Sequence, residues 1–285
     1  MRTIKQPGPV ASERIVAVEA RGRAITFDLE TGVLLVDAVR LGFAAHGFTS
    51  GVLELGALAL NPFASVMPAL SKTGENAAFY SDTFRPKGVS RLKHGAMTFG
   101  RRDGAPFFHC HALWTEPGGK VSGGHILPDE TTVAEGITVN AFGLDGAVFE
   151  GNIDPETNFK LFGPIAVPPV NASASSRAYA VRLRPNQDFC GALEAFCTHH
   201  GITHARVRGG VGSTIGARFD DGTRVENFAT EVYIRDGRIA PGIDDKLAAT
   251  ADVSLIDYTG AIAEGRYSRG DNPVLMTFEL VLEVL

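Results

Sequence analysis

Two stretches of this chain match without a gap at an offset of 154 residues, Ala24 falling on Ala178, and this repeat limits the possible folds more than any other feature. Ala24-Ile25-Thr26-Phe27-Asp28-Leu29 overlays Ala178-Tyr179-Ala180-Val181-Arg182-Leu183, and His46-Gly47-Phe48-Thr49 overlays His200-Gly201-Ile202-Thr203. The first pair of segments reads as strands. Val33 to Ala45, overlaid by Phe189 to His199, carries apolar residues at helical spacing. Gly47 closes the first helix as a C-cap, and a strand, Val52-Leu53-Glu54-Leu55, follows. His46 and His200 precede the capping glycines, where a cationic side chain suits the helix dipole. A period of domain size means two copies of one domain, not a solenoid.

The expected organisation is a first domain over 14–163, a linker rich in Pro, Ala and Ser over 164–176, and a second domain over 177–285. Residues 1 to 20 read as a loose leader followed by a short strand, Arg14 to Val18. With 33 glycines and 15 prolines, turns and strands are favoured over long helices. No apolar run approaches the roughly 18 to 20 residues of a membrane span, and Met1 to Gly8 has no apolar signal core. The expectation is a cytoplasmic protein with no membrane partner. Cys190 and Cys197 lie seven residues apart in a helix. At about 1.5 Å rise per residue that is too far to bridge, so they read as reduced core residues.

Three histidines cluster in one hairpin. Phe107-Phe108-His109-Cys110-His111-Ala112-Leu113-Trp114 and Val121-Ser122-Gly123-Gly124-His125-Ile126 flank a Pro117-Gly118-Gly119 turn, and period two puts His109 and His111 on one face. If the loop is odd and centred on Gly118, His111 lies opposite His125 with Cβ atoms roughly 4.5 to 5.5 Å apart. An even loop turns His125 to the other face and dissolves the cluster. In the second copy, Thr250, Asp252 and Arg266 take the places of His109, His111 and His125, so a cross-strand ion pair is expected there. Converging neutral imidazoles form a three-ligand zinc site with an open fourth position. The plainer reading is two half-exposed strand histidines and a turn cap.

These residues resemble the PPC domain, also written PCC, for "plants and prokaryotes conserved". The resemblance lies in the opening strand and helix, in Asp103-Gly104-Ala105-Pro106-Phe107-Phe108-His109-Cys110-His111, and in Gly123-Gly124-His125. The second copy matches over Arg177 to Gly216 and departs at the histidines. The resemblance implies an α+β fold, two tandem copies of a mostly antiparallel sheet domain with one main helix each. It also implies zinc or another divalent transition metal on the histidines, and a homo-oligomer, a trimer. Plant members act on DNA through AT-hooks, and this chain has no Arg-Gly-Arg-Pro hook.

Charge adds a second feature. From Arg85 to Arg102 lie Arg85, Lys87, Arg91, Lys93, Arg101 and Arg102 without one acid, although the chain carries a net charge of -5 and a pI near 5.9. One reading is an anion-binding wall in which Arg85, Arg101 and Arg102 recognise a carboxylate or phosphate. The other is a solvated face paired with acids from elsewhere. Asp129 and Glu135, close after His125, are candidates for a general base. Gly209 to Gly216 lacks the Gly-Lys-Ser/Thr ending of a phosphate loop. Together the residues point to a metal-site protein that binds a small anionic metabolite and transforms it by hydrolysis or hydration, as a metal-dependent hydrolase or lyase. The reading from a different class is a PPC-type DNA-associated regulator, against which the acidic pI weighs.

Overall fold

In a computed structural model, which describes residues 1–244 and 246–285, regular structure begins with β1 (Ile15–Leu29). Its second half buries Ile25, Phe27 and Leu29 and exposes Thr26 and Asp28, the period-two pattern of a strand with one face on a core. Then follow α1 (Leu35–Ala45), β2 (Ser50–Gly56), β3 (Ser90–Arg102), β4 (Ala105–Thr115), β5 (Val121–Ile126) and β6 (Ile137–Asp145). A hairpin of β7 (Ala147–Ile153) and β8 (Lys160–Ala166) completes the first half. The second half has β9 (Ser176–Leu183), α2 (Phe189–His199), β10 (Ala205–Arg218), β11 (Arg224–Pro241), β12 (Leu247–Asp257), β13 (Ile262–Arg266) and β14 (Val274–Val284).

The first sheet runs β1-β6-β2-β3-β4-β5, antiparallel throughout. The second runs β9-β14-β10-β11-β12-β13, also antiparallel. The orders correspond strand for strand, so the sequence repeat is a repeat of topology. The fold is α+β, two tandem copies of a mostly antiparallel sheet with one main helix each. Each helix covers one face of its own sheet. The Phe43 ring of α1 lies 5.1 Å from that of Phe99 and 5.4 Å from that of Phe27, and Phe189 of α2 lies 4.7 Å from Phe278. Burying one such ring contributes about 1.5–3 kcal/mol. Asp188 caps α2 by accepting from the Gly191 N–H at 2.8 Å.

One sequence expectation is corrected here. The strands expected at Arg14 to Val18 and Ala24 to Leu29 are not separate: Ile15 to Val18 and Ala24 to Leu29 are parts of β1, because Ile15 to Gly22 pair antiparallel with β9 of the second copy while Arg21 to Leu29 pair with β6. The long first strand therefore stitches the two sheets together. Of the residues assigned to the linker, Pro164 to Ala166 finish β8 and Ser176 begins β9, so the crossing without regular structure is 167–175.

The copies also pack face to face. Ala96 and Leu113 of the first share an apolar cluster with Val211 and Tyr233 of the second. Gly209, at φ +59, permits that approach, since a Cβ there would meet the Val52 Cβ at 2.6 Å. At the rim, buried Asp154 in the β7–β8 turn accepts from Arg182 at 2.8 Å and from Arg184, both on or next to β9. The expected ion pair of the second copy is present: Arg266 donates to Asp252 at 2.8 and 3.0 Å.

Candidate metal centre

The β4–β5 loop is odd. Thr115 pairs with Val121 and His111 with His125, leaving residues 116–120 in a turn centred on Gly118. Gly118 and Gly119 both take positive φ, +95 and +91, which a two-glycine turn accepts without strain. His109, His111 and His125 accordingly share a face, and one ring nitrogen from each lies within 4.8 Å of the others. His111 and His125 are buried and His109 is half-buried. Next to His125, Gly124 lets the short strand Ser65–Val66 pair with β5, since a Cβ there would sit 2.3 Å from the Val66 carbonyl oxygen. Cys110 points to the opposite face and is buried in the core.

Hydrogen bonds assign the tautomers of two rings. His111 Nδ1–H donates to the Val232 carbonyl at 2.9 Å, and His109 Nδ1–H donates to the Glu279 carboxylate. In the neutral form of each ring the lone pair therefore sits on Nε2, and these two Nε2 atoms face each other at 3.0 Å. His125 Nδ1 is buried without a hydrogen-bond partner.

The second copy supplies two acids to this cluster, Glu231 of β11 and Glu279 of β14. Glu279 is fully buried, and its other oxygen has no partner. Glu231 is buried with neither oxygen hydrogen-bonded, and its Oε1 lies 4.0 Å from His111 Nε2. Orphaned buried polar atoms normally cost about 1–3 kcal/mol each, so their concentration around three imidazoles fits a site that receives a cation.

Burial holds His111 and His125 well below the ordinary imidazole range, and the neighbouring His109 adds to both shifts. Burial likewise holds the Glu231 carboxyl well above its usual range. In metal-free protein, below about pH 6.5 the unfolded chain takes up protons that the buried imidazoles of His111 and His125, and the partly buried one of His94, resist, so acid destabilises. Glu231 acts oppositely, because above about pH 4.5 the folded state keeps a proton that the unfolded chain releases. Between those values the imidazole contributions outnumber that of Glu231, so stability falls as the pH falls. Above pH 6.5 only the Glu231 contribution remains and the slope reverses. Urea titrations of chelator-treated protein should show the midpoint falling from pH 6.5 to 5; a midpoint that stays constant or rises contradicts this picture.

A cleft of about 550 Å³ opens onto His109 and His125. On the other side, a small void of about 50 Å³ touches His109, His111 and Glu231. The roof comes from residues 57–89, between β2 and β3, where the second copy has only 219–223 between β10 and β11. This insertion carries the short strands Pro68–Ala69 and Phe79–Tyr80, and the Tyr80 ring lies 5.4 Å from that of His125.

The sequence candidates separate by position. Arg102 and Asp129 line the cleft with the histidines. Arg85 is exposed and forks onto Glu130 at 2.7 and 3.0 Å. Arg101 pairs with Glu150 at 2.6 Å. Glu135 is exposed, held by Arg91, and does not line the cleft. Glu231 and Glu279 escaped sequence reasoning. The signal was present in Thr230-Glu231-Val232-Tyr233 and Phe278-Glu279-Leu280-Val281, an acid within an otherwise apolar strand.

No protein-family model matches the sequence, and no curated protein matches it. Solved structures do. A metal-containing protein from Archaeoglobus fulgidus is similar at 19% identity and TM-score 0.39, over 50% of this chain and 94% of its own. A plant- and prokaryote-conserved (PPC) protein from Pyrococcus horikoshii is similar at 19% identity and TM-score 0.41, over 53% and 97%. A hypothetical protein from Salmonella is similar at 26% identity and TM-score 0.33, over 39% and 79%. The structural neighbours thus include a PPC protein and a metal-containing protein, and these two each cover about half of the chain.

Proposed function

We propose that this protein holds zinc on His109, His111 and His125, binds a small anionic metabolite in the adjoining cleft, and transforms it by metal-assisted hydrolysis or hydration. The observation that carries the reading is the pair of Nε2 atoms facing at 3.0 Å, each with its ring hydrogen committed to the far nitrogen. Two neutral rings so placed repel unless a proton or a metal ion lies between them; burial disfavours a proton on His111, and the third converging imidazole, His125, suits a metal ion rather than a shared proton. Ligands about 2.0–2.1 Å from a tetrahedral ion lie roughly 3.4 Å apart, so the pair needs to open by only a few tenths of an ångström.

Zinc bound there supplies a Lewis acid and brings the pKa of a coordinated water to about 7. The chain's own residues do the rest. Glu279 and the Val232 carbonyl fix the tautomers and orientations of His109 and His111. Glu231, with both oxygens free, is placed to take or give a proton beside His111. Arg102 anchors the anion, and the roof excludes water from the cleft. By the PPC resemblance the assembly is a trimer, and three free, buried cysteines suit the cytoplasm. The alternative of DNA association is disfavoured because Arg85, Arg91 and Arg101 of the basic run are neutralised by Glu130, Glu135 and Glu150.

Metal analysis of protein purified without chelators should give one zinc per chain, lost in His111→Ala and retained in Asp252→Ala. A metal-free wild-type protein that takes up no added zinc refutes the proposal.

A further inference from the structure

We infer that the cleft takes a planar aromatic monocarboxylate, its ring against the roof aromatics and its carboxylate on Arg102. This rests on reading the cleft as the substrate site and names the chemical class which that reading leaves open.

On one wall, Phe79, Tyr80 and Phe159 form a cluster with ring centroids 5.6, 5.9 and 6.3 Å apart. Phe79 remains 51% exposed and Tyr80 37%, so these two rings are not spent in a core, while Phe159, half-buried, backs them against the apolar cluster of Ile215 and Met276. Exposed aromatic surface lining a cleft is what stacks on a ligand ring, in offset or edge-on geometry.

Across the cleft stands Arg102, built into place. Its stem lies on Gly151, where a Cβ would come within 3.2 Å of the Arg102 Cγ, and its guanidinium sits 5.0 Å from the centre of the Phe107 ring. The nearest acid oxygen, on Asp103 at 3.9 Å, belongs to a carboxylate that Lys160 holds at 2.7 Å. Arg85 and Arg101 are forked or paired with acids; among the described residues Arg102 has no such hydrogen bond. A guanidinium clamped along its stem and stacked on a ring is preorganised for a planar, bidentate anion.

The charge balance favours a monoanion. In the cleft wall Glu130 is already held by Arg85 and Lys160 by Asp103, so the described side chains offer one free guanidinium, Arg102, to one carboxylate and no second cation for a dianionic phosphate. A space of about 550 Å³ suits an acid of one or two rings.

The test titrates benzoate, cyclohexanecarboxylate and benzyl alcohol calorimetrically into zinc-loaded and chelator-treated protein, each as wild type, Arg102→Gln and Phe159→Leu. Benzoate should bind wild type in both metal states. Binding should weaken about tenfold or more in Arg102→Gln, where a charge-assisted pair is lost. It should weaken severalfold for cyclohexanecarboxylate and in Phe159→Leu, and benzyl alcohol should bind weakest. If no zinc is taken up but benzoate still binds through Arg102, the metal reading fails and this inference stands. Zinc uptake without benzoate binding, equal binding by Arg102→Gln, or equal binding of the saturated acid overturns it.

Discussion

Glu279→Gln is expected to weaken zinc binding by about 10–100-fold, the usual penalty for removing the carboxylate behind a ligating histidine. The expectation follows from a division of labour between the copies. The first copy contributes all three imidazoles, but the acid that fixes His109 comes from β14 of the second and is fully buried there. Glutamine keeps the volume and one accepting oxygen while deleting the negative charge that steadies the Nδ1–H and makes Nε2 more basic. Glu283→Gln, on the same strand but paired with Arg208 at 2.7 Å, serves as the control and should change affinity less than twofold. Competition against a chromogenic chelator reads both. If Glu279→Gln matches the control, the second copy encloses the site without tuning it.

Asp154→Ala should destabilise the protein by about 3–5 kcal/mol, because it strands the two guanidiniums of Arg182 and Arg184 at a buried junction. Asp154 also accepts from the Glu156 and Thr157 N–H groups at 3.1 and 3.0 Å, so the β7–β8 turn loses its organising side chain together with its contact to β9. The repeat offers a matched comparison. Asp252→Ala removes an equally well-formed pair, but one whose arginine side chain is 52% exposed, and solvent screening keeps that loss far smaller. Urea midpoints measured side by side separate the two cases; equal losses would mean that the Asp154 junction is solvated in solution.

The features legible in the sequence were those governed by local period. Strand alternation and an odd loop are sufficient to place His111 opposite His125, and the same count places Arg266 opposite Asp252. The ungapped offset exposes the repeat because strand, helix and capping glycine recur together. What escaped was set by contact between the copies. Glu231 and Glu279 reach the histidines only because β10 and β11 of one half pack on β3 and β4 of the other and β14 is carried with them, a relation carried by no short spacing. The long β1 escaped for the same reason, since half of it pairs with a strand more than a hundred residues away. The choice between the two readings of the basic run was not legible, because its acids, Glu130, Glu135 and Glu150, lie later in the chain and are brought alongside only by the tertiary fold.

The central claim is that three imidazoles of the first copy, backed by two acids of the second, hold one metal ion. Anomalous diffraction at the zinc edge, from crystals grown with one equivalent of zinc, tests it most directly. A single strong peak about 2.0–2.1 Å from one nitrogen each of His109, His111 and His125 is the predicted result. No peak among the three rings, or a peak elsewhere on the chain with the rings still in mutual contact, would contradict it.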